Sequence, residues 1–476
     1  MNTDRESPLP PETWVPARRI AQAVLGPIDR FLRIEVASGA ILLGAAVVAL
    51  TWANSPWHES YDSLWHTPFS IGLGQWSIQG SLHFWISDLL MAIFFLVVGL
   101  EIKREMFEGA LSGFKKAALP VAAALGGMVV PAAIYFLFNT GMPARNGWGV
   151  PMATDIAFAV GVMSLLGKRV PVSLRVLLLA LAIIDDIGAI LVIAVFYSTQ
   201  LEFAGIYYVA GGLFGIVALY KMGIRPGFIY LVPGLVVWGG MLKLGVHPAI
   251  AGVMIGFMTP VKSWFSREKF LKVARDAIDE FDDRSDRGLR GHDLIEPLVK
   301  LARARREAVS PSVRMEAALH PWVAFVIMPL FALANAGVNV RGIEFGDSTS
   351  VAIVAGVAGG LVLGKPIGVL LVSWIAVRLG LCVLPAGVNW RGLLVVGGVA
   401  GIGFTMSIFI GELAFQGDAA PLSEIAKLGV LVGSAVAAVG GLLLGRFLLQ
   451  PEDVPKLRAM TASDVERSTG YWTTGH

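Results

Sequence analysis

Apolar runs of spanning length, or slightly less, begin near Val36, His83, Ala117, Val150, Leu174, Phe203, Gly227, His247, Pro321, Val351, Leu393 and Ile425. A helix rises about 1.5 Å per residue, so about twenty such residues cover the roughly 30 Å hydrocarbon core of a bilayer. The pattern therefore predicts an all-α polytopic membrane protein of twelve transmembrane helices. Two stretches depart from it. FSIGLGQWSIQGS, between the first two runs, alternates apolar with small or polar residues around Gly72 to Gly74 and reads as a short β-hairpin on the outer face. Its edge is either a pairing surface between protomers or a capped, local one. From Thr259 to Leu319 the chain turns polar and dense in both signs of charge. FLKVARDAIDEF and LIEPLVKLARARREA keep helical spacing with bases opposite acids, which predicts one or two amphipathic cytoplasmic helices bearing a solvated face, with a regulatory role as the alternative.

The bases orient the spans. With the N-terminus inside, Arg30, Arg33, Lys103, Arg104, Lys115, Lys116, Lys168, Arg169, Lys221, Arg225, Arg378, Arg391 and Arg446 fall on the cytoplasmic side, and only Arg145, Lys243, Arg341 and Lys427 on the opposite loops. An even number of spans with both termini cytoplasmic satisfies that bias. The domain plan is a cytoplasmic extension over 1–30, a helical domain over 31–448 that includes the loop 259–319, and a polar cytoplasmic tail over 449–476. No apolar run in the first thirty residues is long enough for a signal peptide.

Composition narrows the class further. Of 476 residues 55% are hydrophobic and only 15% charged, well outside the soluble balance. The net charge of +3 carries no nucleic-acid signal, because the bases sit in short loops where topology explains them. One cysteine, Cys382, excludes an intrachain disulfide framework. Neither a repeated Cys/His ligand spacing, nor a phosphate loop, nor a nucleophile elbow occurs in a suitable context, so no enzymatic reaction and no cofactor is expected.

The informative residues are polar ones inside the spans. LLLALAIIDDIGAILVIAVF places Asp185 and Asp186 near the midplane. One central Asp raises the insertion free energy by roughly 2.5 to 3.5 kcal/mol, so two in tandem must face protein or water and be used. GVPMATDIAFAVGV brings Gly149, Pro151, Thr154 and Asp155 into the fourth span and predicts a broken helix, tolerated only where protein or a cavity satisfies the freed backbone. Asp155 can offset the positive half-helix ends there. GLVLGKPIGVLL buries Lys365, which requires a carboxylate partner, and the glycine-rich GGVAGIGFTMSIFIG reads as a second broken helix. Adjacent helical residues lie about 100° apart, so one aspartate can pair with Lys365 while the other opens to a cavity. Deprotonated carboxylates, Thr154 and freed carbonyls suit a hard cation such as Na⁺. Protons and cation then compete for the same oxygens, and with alternating access that competition is exchange; more than one proton per cation would make it electrogenic.

Glu101, Lys103, Arg104 and Glu105 close the second span, either as a solvated helix end or as an acidic funnel that concentrates cations and responds to pH. Asp88, earlier in the same span, is a second buried acid or an interface residue. His247, in LGVHPAIAGV, is the near-neutral titrating group, or simply structural.

ATDIAFAVGV, ALAIIDDIGAI, LHPWVAFVIMPLFALANAGV, LGKPIG and GIGFTMSIFI together closely resemble the NhaA family of bacterial Na⁺/H⁺ antiporters, over about Phe31 to Leu448. The resemblance implies an inverted-repeat architecture. The resemblance implies twelve helices with the fourth and eleventh unwound and crossed, inner-membrane location, and pH-regulated exchange of Na⁺ or Li⁺ for H⁺. By motif, Asp185 and Asp186 are similar to the family's cation and proton carriers and Thr154 to a site neighbour. Asp155 and Lys365 are similar to the residues that offset the half-helix dipoles, Lys365 also pairing with Asp185. Glu101 and Glu105 match the family's funnel and pH-response region, His247 its pH-sensitive histidine, and the hairpin its homodimer contact. The loop 259–319 is longer than the family pattern, and the acidic pH-sensor position before the ninth span is not placed in it. The runner-up is a Na⁺- or H⁺-coupled symporter of a small organic solute, which would need more polar ligands than the interior offers. A cation channel would need a ring of like acids, against which Lys365 argues. The partners expected are Na⁺, Li⁺, H⁺, membrane lipid and a second copy of the chain, with no nucleic acid.

Overall fold

The computed structural model describes residues 35–73, 76–107, 109, 111, 113–198, 202–223, 227–289, 291–340, 347–385 and 387–449. The extension 1–30, the tail from 450 onward, and Arg30, Arg33, Gly74, Arg225 and Arg341 lie outside the described residues.

Backbone in hydrocarbon must satisfy its own N–H and C=O groups, and helices do this within one segment. In chain order these are α1 (Glu35–Ala53) and α2 (His58–His66), then after two strands α3 (Leu82–Phe107) and α4 (Phe114–Phe138). A 3-10 segment, Ala144–Met152, leads into α5 (Ile156–Leu165). There follow α6 (Val172–Phe196), α7 (Ala204–Lys221), α8 (Leu231–Leu244) and α9 (Ala249–Met258). The polar stretch forms α10 (Arg267–Asp286) and α11 (Ile295–Ala308). The last five are α12 (Pro311–Asn335), α13 (Ser348–Arg378), α14 (Trp390–Ala400), α15 (Phe404–Ala414) and α16 (Ala420–Leu448).

Among the described residues seven helices are long and apolar enough to cross a membrane, and three bent pairs add up to three more. Those pairs are α1 with α2, bent by 114°, the 3-10 segment with α5, by 46°, and α14 with α15, by 51°. Helices α8 and α9 are apolar but shorter. The chain is a multi-pass membrane protein.

Strands β1 (Pro68–Leu73) and β2 (Trp76–Ser81) pair antiparallel, from Pro68 opposite Ser81 to Leu73 opposite Trp76. The indole of Trp85 donates to Phe69 O at 2.8 Å and fastens β1 to α3.

Two boundaries differ from the sequence reading. Helix α12 starts at Pro311, not Pro321, and its first turns carry Arg314 and Glu316. Charges there resemble loop, yet Pro311 occupies the first turn, where a missing N–H is harmless. Lys427 is not a loop base. It lies within α16, 8% exposed, with its ammonium 3.0 Å from both Glu412 and Glu424.

Packing brings the interior polar residues together. Helices α4, α6, α13, α14, α15 and α16 contact one another, while α3 lies along α9, α7 along α8, and α12 against α1. At the α4–α13 crossing Gly126 faces Gly368, and a Cβ on either would collide with the other's carbonyl. Such close approach is how helices associate where lipid is as apolar as their side chains. Just before Lys365 the residues Gly360–Gly364 widen into a π-turn, a local offset that recurs at functional sites.

Candidate ion-binding site

The two broken helices meet in the middle of the first group. Between Met152 and Ile156 the chain is extended, because Pro151 and the capping Asp155 end one segment and start the next. The Gly401–Ile402–Gly403 break does the same between α14 and α15. The N–H of Asp155 donates to Ile402 O at 2.7 Å, so the breaks lie against each other.

Asp155 is 1% exposed and serves two helix starts at once. Its Oδ1 accepts from the Phe158 N–H of α5 at 3.0 Å, and its Oδ2 accepts from the N–H of Thr405 in α15 at 3.2 Å and from the Thr405 hydroxyl. Four N–H groups are left over at every helix start and carry partial positive charge, and one carboxylate here answers part of both sets. Thr405 was not singled out from sequence. Only its place just after the GIG break signalled a polar group at a helix start.

Lys365 and Asp185 form a pair with no exposed side-chain surface, Nζ to Oδ2 2.6 Å. Lys365 also donates to the Thr154 hydroxyl at 2.9 Å. That hydroxyl has one proton and two acceptors in reach, Asp185 Oδ2 at 2.8 Å and Ala400 O, at the end of α14, at 2.9 Å. Thr154 thereby joins the ion pair to a freed helix terminus. Asp186 differs from its neighbour. It is 1% exposed, and neither of its carboxylate oxygens has a hydrogen-bond partner among the described residues; Asp185 Oδ1 shares that condition. Sequence reasoning expected the aspartate not paired to Lys365 to open to a cavity, whereas Asp186 is enclosed. Buried polar atoms are nearly always bonded, so three bare carboxylate oxygens in one place call for a positively charged ligand or a proton. Among the described residues no three His, Cys, Asp or Glu side chains cluster as a metal site, so any cation here would draw on two carboxylates, a hydroxyl and backbone carbonyls.

The remaining sequence candidates lie apart from this centre. Glu101 sits on α3 within electrostatic reach of Asp186. Beyond it Arg104 joins Glu105 at 3.5 Å and Glu316 of α12 at 2.8 Å. Glu316 was missed because its turn reads as loop. Lys103 donates to Phe257 O and Thr259 O at 2.6 and 2.7 Å, a cation at the end of α9 where carbonyls are unpaired. His247, at the start of α9, pairs through Nε2 with Asp88 Oδ1 at 3.2 Å, which gives Asp88 the partner that sequence left open.

A family model described as Na⁺/H⁺ antiporter 1 matches residues 29–444. The chain is 54% identical over 471 residues to a protein of Sorangium cellulosum named Na(+)/H(+) antiporter NhaA 2, covering 99% of this chain and 100% of that one. A protein of the same name from Myxococcus xanthus is 51% identical, with 98% of each covered. The Na(+)/H(+) antiporter NhaA of Cupriavidus necator is 52% identical over 90% of this chain and 92% of its own. With the match spanning nearly the whole length, the chain belongs to the Na⁺/H⁺ antiporter 1 family.

Proposed function

We propose that this protein exchanges Na⁺, and Li⁺, for protons across the bacterial inner membrane by alternating access, with no cofactor beyond the transported ions. The observation that carries the reading is Asp186, fully enclosed with both carboxylate oxygens bare, beside an Asp185 already held by Lys365 and Thr154. In the proton-loaded state Asp186 keeps a proton and Lys365 neutralises Asp185. A cation entering from the cytoplasmic side displaces the Asp186 proton and draws Asp185 away from Lys365, with the Thr154 hydroxyl and Ala400 O completing its oxygens. Loss of the carboxylate partner lets Lys365 release a second proton, so exchange is electrogenic. Asp155 stays ionised as the cap of α5 and α15 throughout.

The topology we infer is twelve crossings with inverted repeats and crossed half-helices, both termini cytoplasmic. It is supported by the seven long helices, the three bent pairs, and α8 and α9, which fall at the twelve apolar runs. On it, Glu101, Glu105, Arg104 and Glu316 line the cytoplasmic entrance and shape the response to pH, with Glu316, in the first turns of α12, taking the acidic pH-sensor position left unplaced in the sequence. His247 with Asp88 lies toward the outer side, and the β1–β2 edge pairs protomers in a homodimer.

The test is proton movement in proteoliposomes on adding Na⁺, Li⁺ or K⁺ across a pH series. Proton flux opposite to Na⁺ and Li⁺, with a reversal potential that follows the imposed ion gradients as electrogenic exchange requires, is the expected result. Absence of cation-driven proton flux at every pH would overturn exchange and favour the symporter.

A further inference from the structure

A second polar cluster lies at the far end of the half-helix that caps the site. On α15 the residues Thr405, Phe409 and Glu412 follow at intervals of four and three, one stripe along one face. Thr405 touches Asp155 at one end of this stripe. Phe409, 1% exposed, enters the other helix group, its ring centroid 5.6 Å from Phe95 of α3, 6.1 Å from Phe331 of α12 and 5.1 Å from His247. One turn further, Glu412 Oε1 meets Lys427 of α16 at 3.0 Å and His83 Nε2 of α3 at 3.4 Å.

The same His83 nitrogen is 2.6 Å from Asn335 Oδ1, at the end of α12. Asn335 Nδ2 must be its donor end, because it faces Phe331 O at 3.0 Å, and it also reaches Ser87 Oγ at 3.3 Å. His83 Nε2 thus faces two acceptors and carries the hydrogen, leaving Nδ1, on a side chain 34% exposed, as the atom that can take a proton. Lys427 is shared with Glu424 at 3.0 Å, so Glu412 is not its sole counter-charge. The other titratable groups around the cluster are Tyr61, whose one hydroxyl proton has Leu333 O at 2.9 Å and Ala334 O at 3.0 Å as acceptors in reach, and the Asp88–His247 pair across Phe409.

We propose that Glu412 is a positioning residue for exchange: with His83 and Asn335 it forms an outer latch between the two helix groups, above Phe409 as the plug of the outer path. The latch fixes α15 so that Thr405 stays on Asp155 and the site stays closed to the outside. Protonation of His83 Nδ1 from the outer solution adds a positive charge opposite Glu412 and tightens it. This rests on the exchange reading and on its sidedness, in which the Arg104 end of α3 is cytoplasmic and the His83 end outer.

The test is exchange in oriented proteoliposomes with Na⁺ titrated separately at each face. If outward-open molecules are the minor population, apparent affinity at the outer face is reduced by that fraction, and loosening the latch restores it. Glu412→Gln should lower KM for outer Na⁺ by about three- to tenfold and leave KM for inner Na⁺ within about twofold. Glu412→Asp should restore the wild-type asymmetry. His83→Gln, which keeps a neutral donor but cannot ionise, should flatten the rise of outer KM on acidifying the outer solution. Equal shifts at both faces, or an unchanged outer KM, would overturn the latch and leave Glu412 structural. Should Glu412→Gln not fold, His83→Gln decides alone, and an unaltered outer-pH dependence overturns the proposal. Wild-type protein without any exchange would remove the exchange reading and the latch with it, whereas exchange with side-independent shifts removes the latch only.

Discussion

Asp155, Asp185, Asp186 and Lys365 sit in the middle of the helix bundle, and Glu280, Arg284, Glu296 and Lys300 join α10 to α11 at its polar end. Each set holds four charges, but they are arranged for different ends. In the helical hairpin that α10 and α11 form, two acids meet two bases and every contact is closed: Arg284 reaches Glu280 at 2.5 Å and Glu296 at 2.7 Å, and Lys300 reaches them at 2.9 and 3.1 Å. In the bundle three acids meet one base, and three carboxylate oxygens are left bare. Water screens the first set, so it adds little whether intact or broken. Nothing screens the second, where imbalance is tolerable only if a mobile positive charge completes it. The surplus of acid over base, with the bare oxygens, is what the proposed exchange would draw on and what a closed set of salt bridges lacks.

The largest effect should come from removing that surplus. Asp186→Asn keeps the volume and takes away the charge without breaking a bond, so the protein should insert and keep its thermal stability while exchange falls to background. Normal cation-driven proton flux in this variant would show that Asp186 is not the ion carrier.

Removing the base instead should act on stability. Lys365→Ala strands Asp185 in a fully buried setting, and breaking such a pair costs about 3–5 kcal/mol. Thermal unfolding in detergent should register it. Lys365→Met combined with Asp185→Asn removes both charges and should recover most of that stability without recovering exchange. A double variant as unstable as the single one would mean that packing, not charge, holds α4, α6 and α13 together.

Thr405→Val tests the cap at nearly constant volume. Asp155 keeps its two backbone donors and loses the hydroxyl, a loss of about 1–3 kcal/mol for a buried acceptor. Stability should fall by that amount and exchange should slow, because α15 is no longer fixed against the α5 break. An unaffected melting temperature would make Phe158 and the Thr405 N–H sufficient partners for Asp155.

Which of these residues are visible in sequence follows from the price of burying them. A charge in the middle of an apolar run has no bland explanation, which is why Asp155, Asp185, Asp186 and Lys365 stand out before any coordinates. Hydroxyls and amides carry no such penalty, and Thr405 and Asn335 pass for ordinary helix residues. Charges near a span's end have an easy alternative in the interface, so Glu316 reads as loop, Lys427 as a loop base and His83 as the first residue of a span. Apolar length marks where spanning helices lie, but the 46° and 51° bends and the π-turn before Lys365 depend on packing between segments distant in sequence. Only the glycine and proline content hints at them.

The smallest effect belongs to the hairpin, and its sign with pH is fixed by the same contrast. Hydrogen bonds from Lys300 hold the Glu280 carboxyl below its ordinary value, and those from Arg284 do the same for Glu296. A carboxylate lowered in the folded state stabilises the fold above its unfolded value, about 4.3, and loses that contribution as pH falls through the lowered one. Protection against amide hydrogen exchange in α10 and α11, with the intrinsic pH dependence of exchange divided out, should therefore be level near neutrality and fall on acidification. Glu280→Gln with Lys300→Met should remove Glu280's share of that acid-dependent step, leave the share of Glu296 that Arg284 holds, and lower protection slightly at neutral pH, while Na⁺-driven proton flux stays at the wild-type level. Those residues sit in solvent, where a closed set of ion pairs is only a face. If the double variant instead shifted the pH at which transport switches on, the hairpin charges would be coupled to the Arg104–Glu316 entrance, and the difference between the two charge clusters would be one of degree.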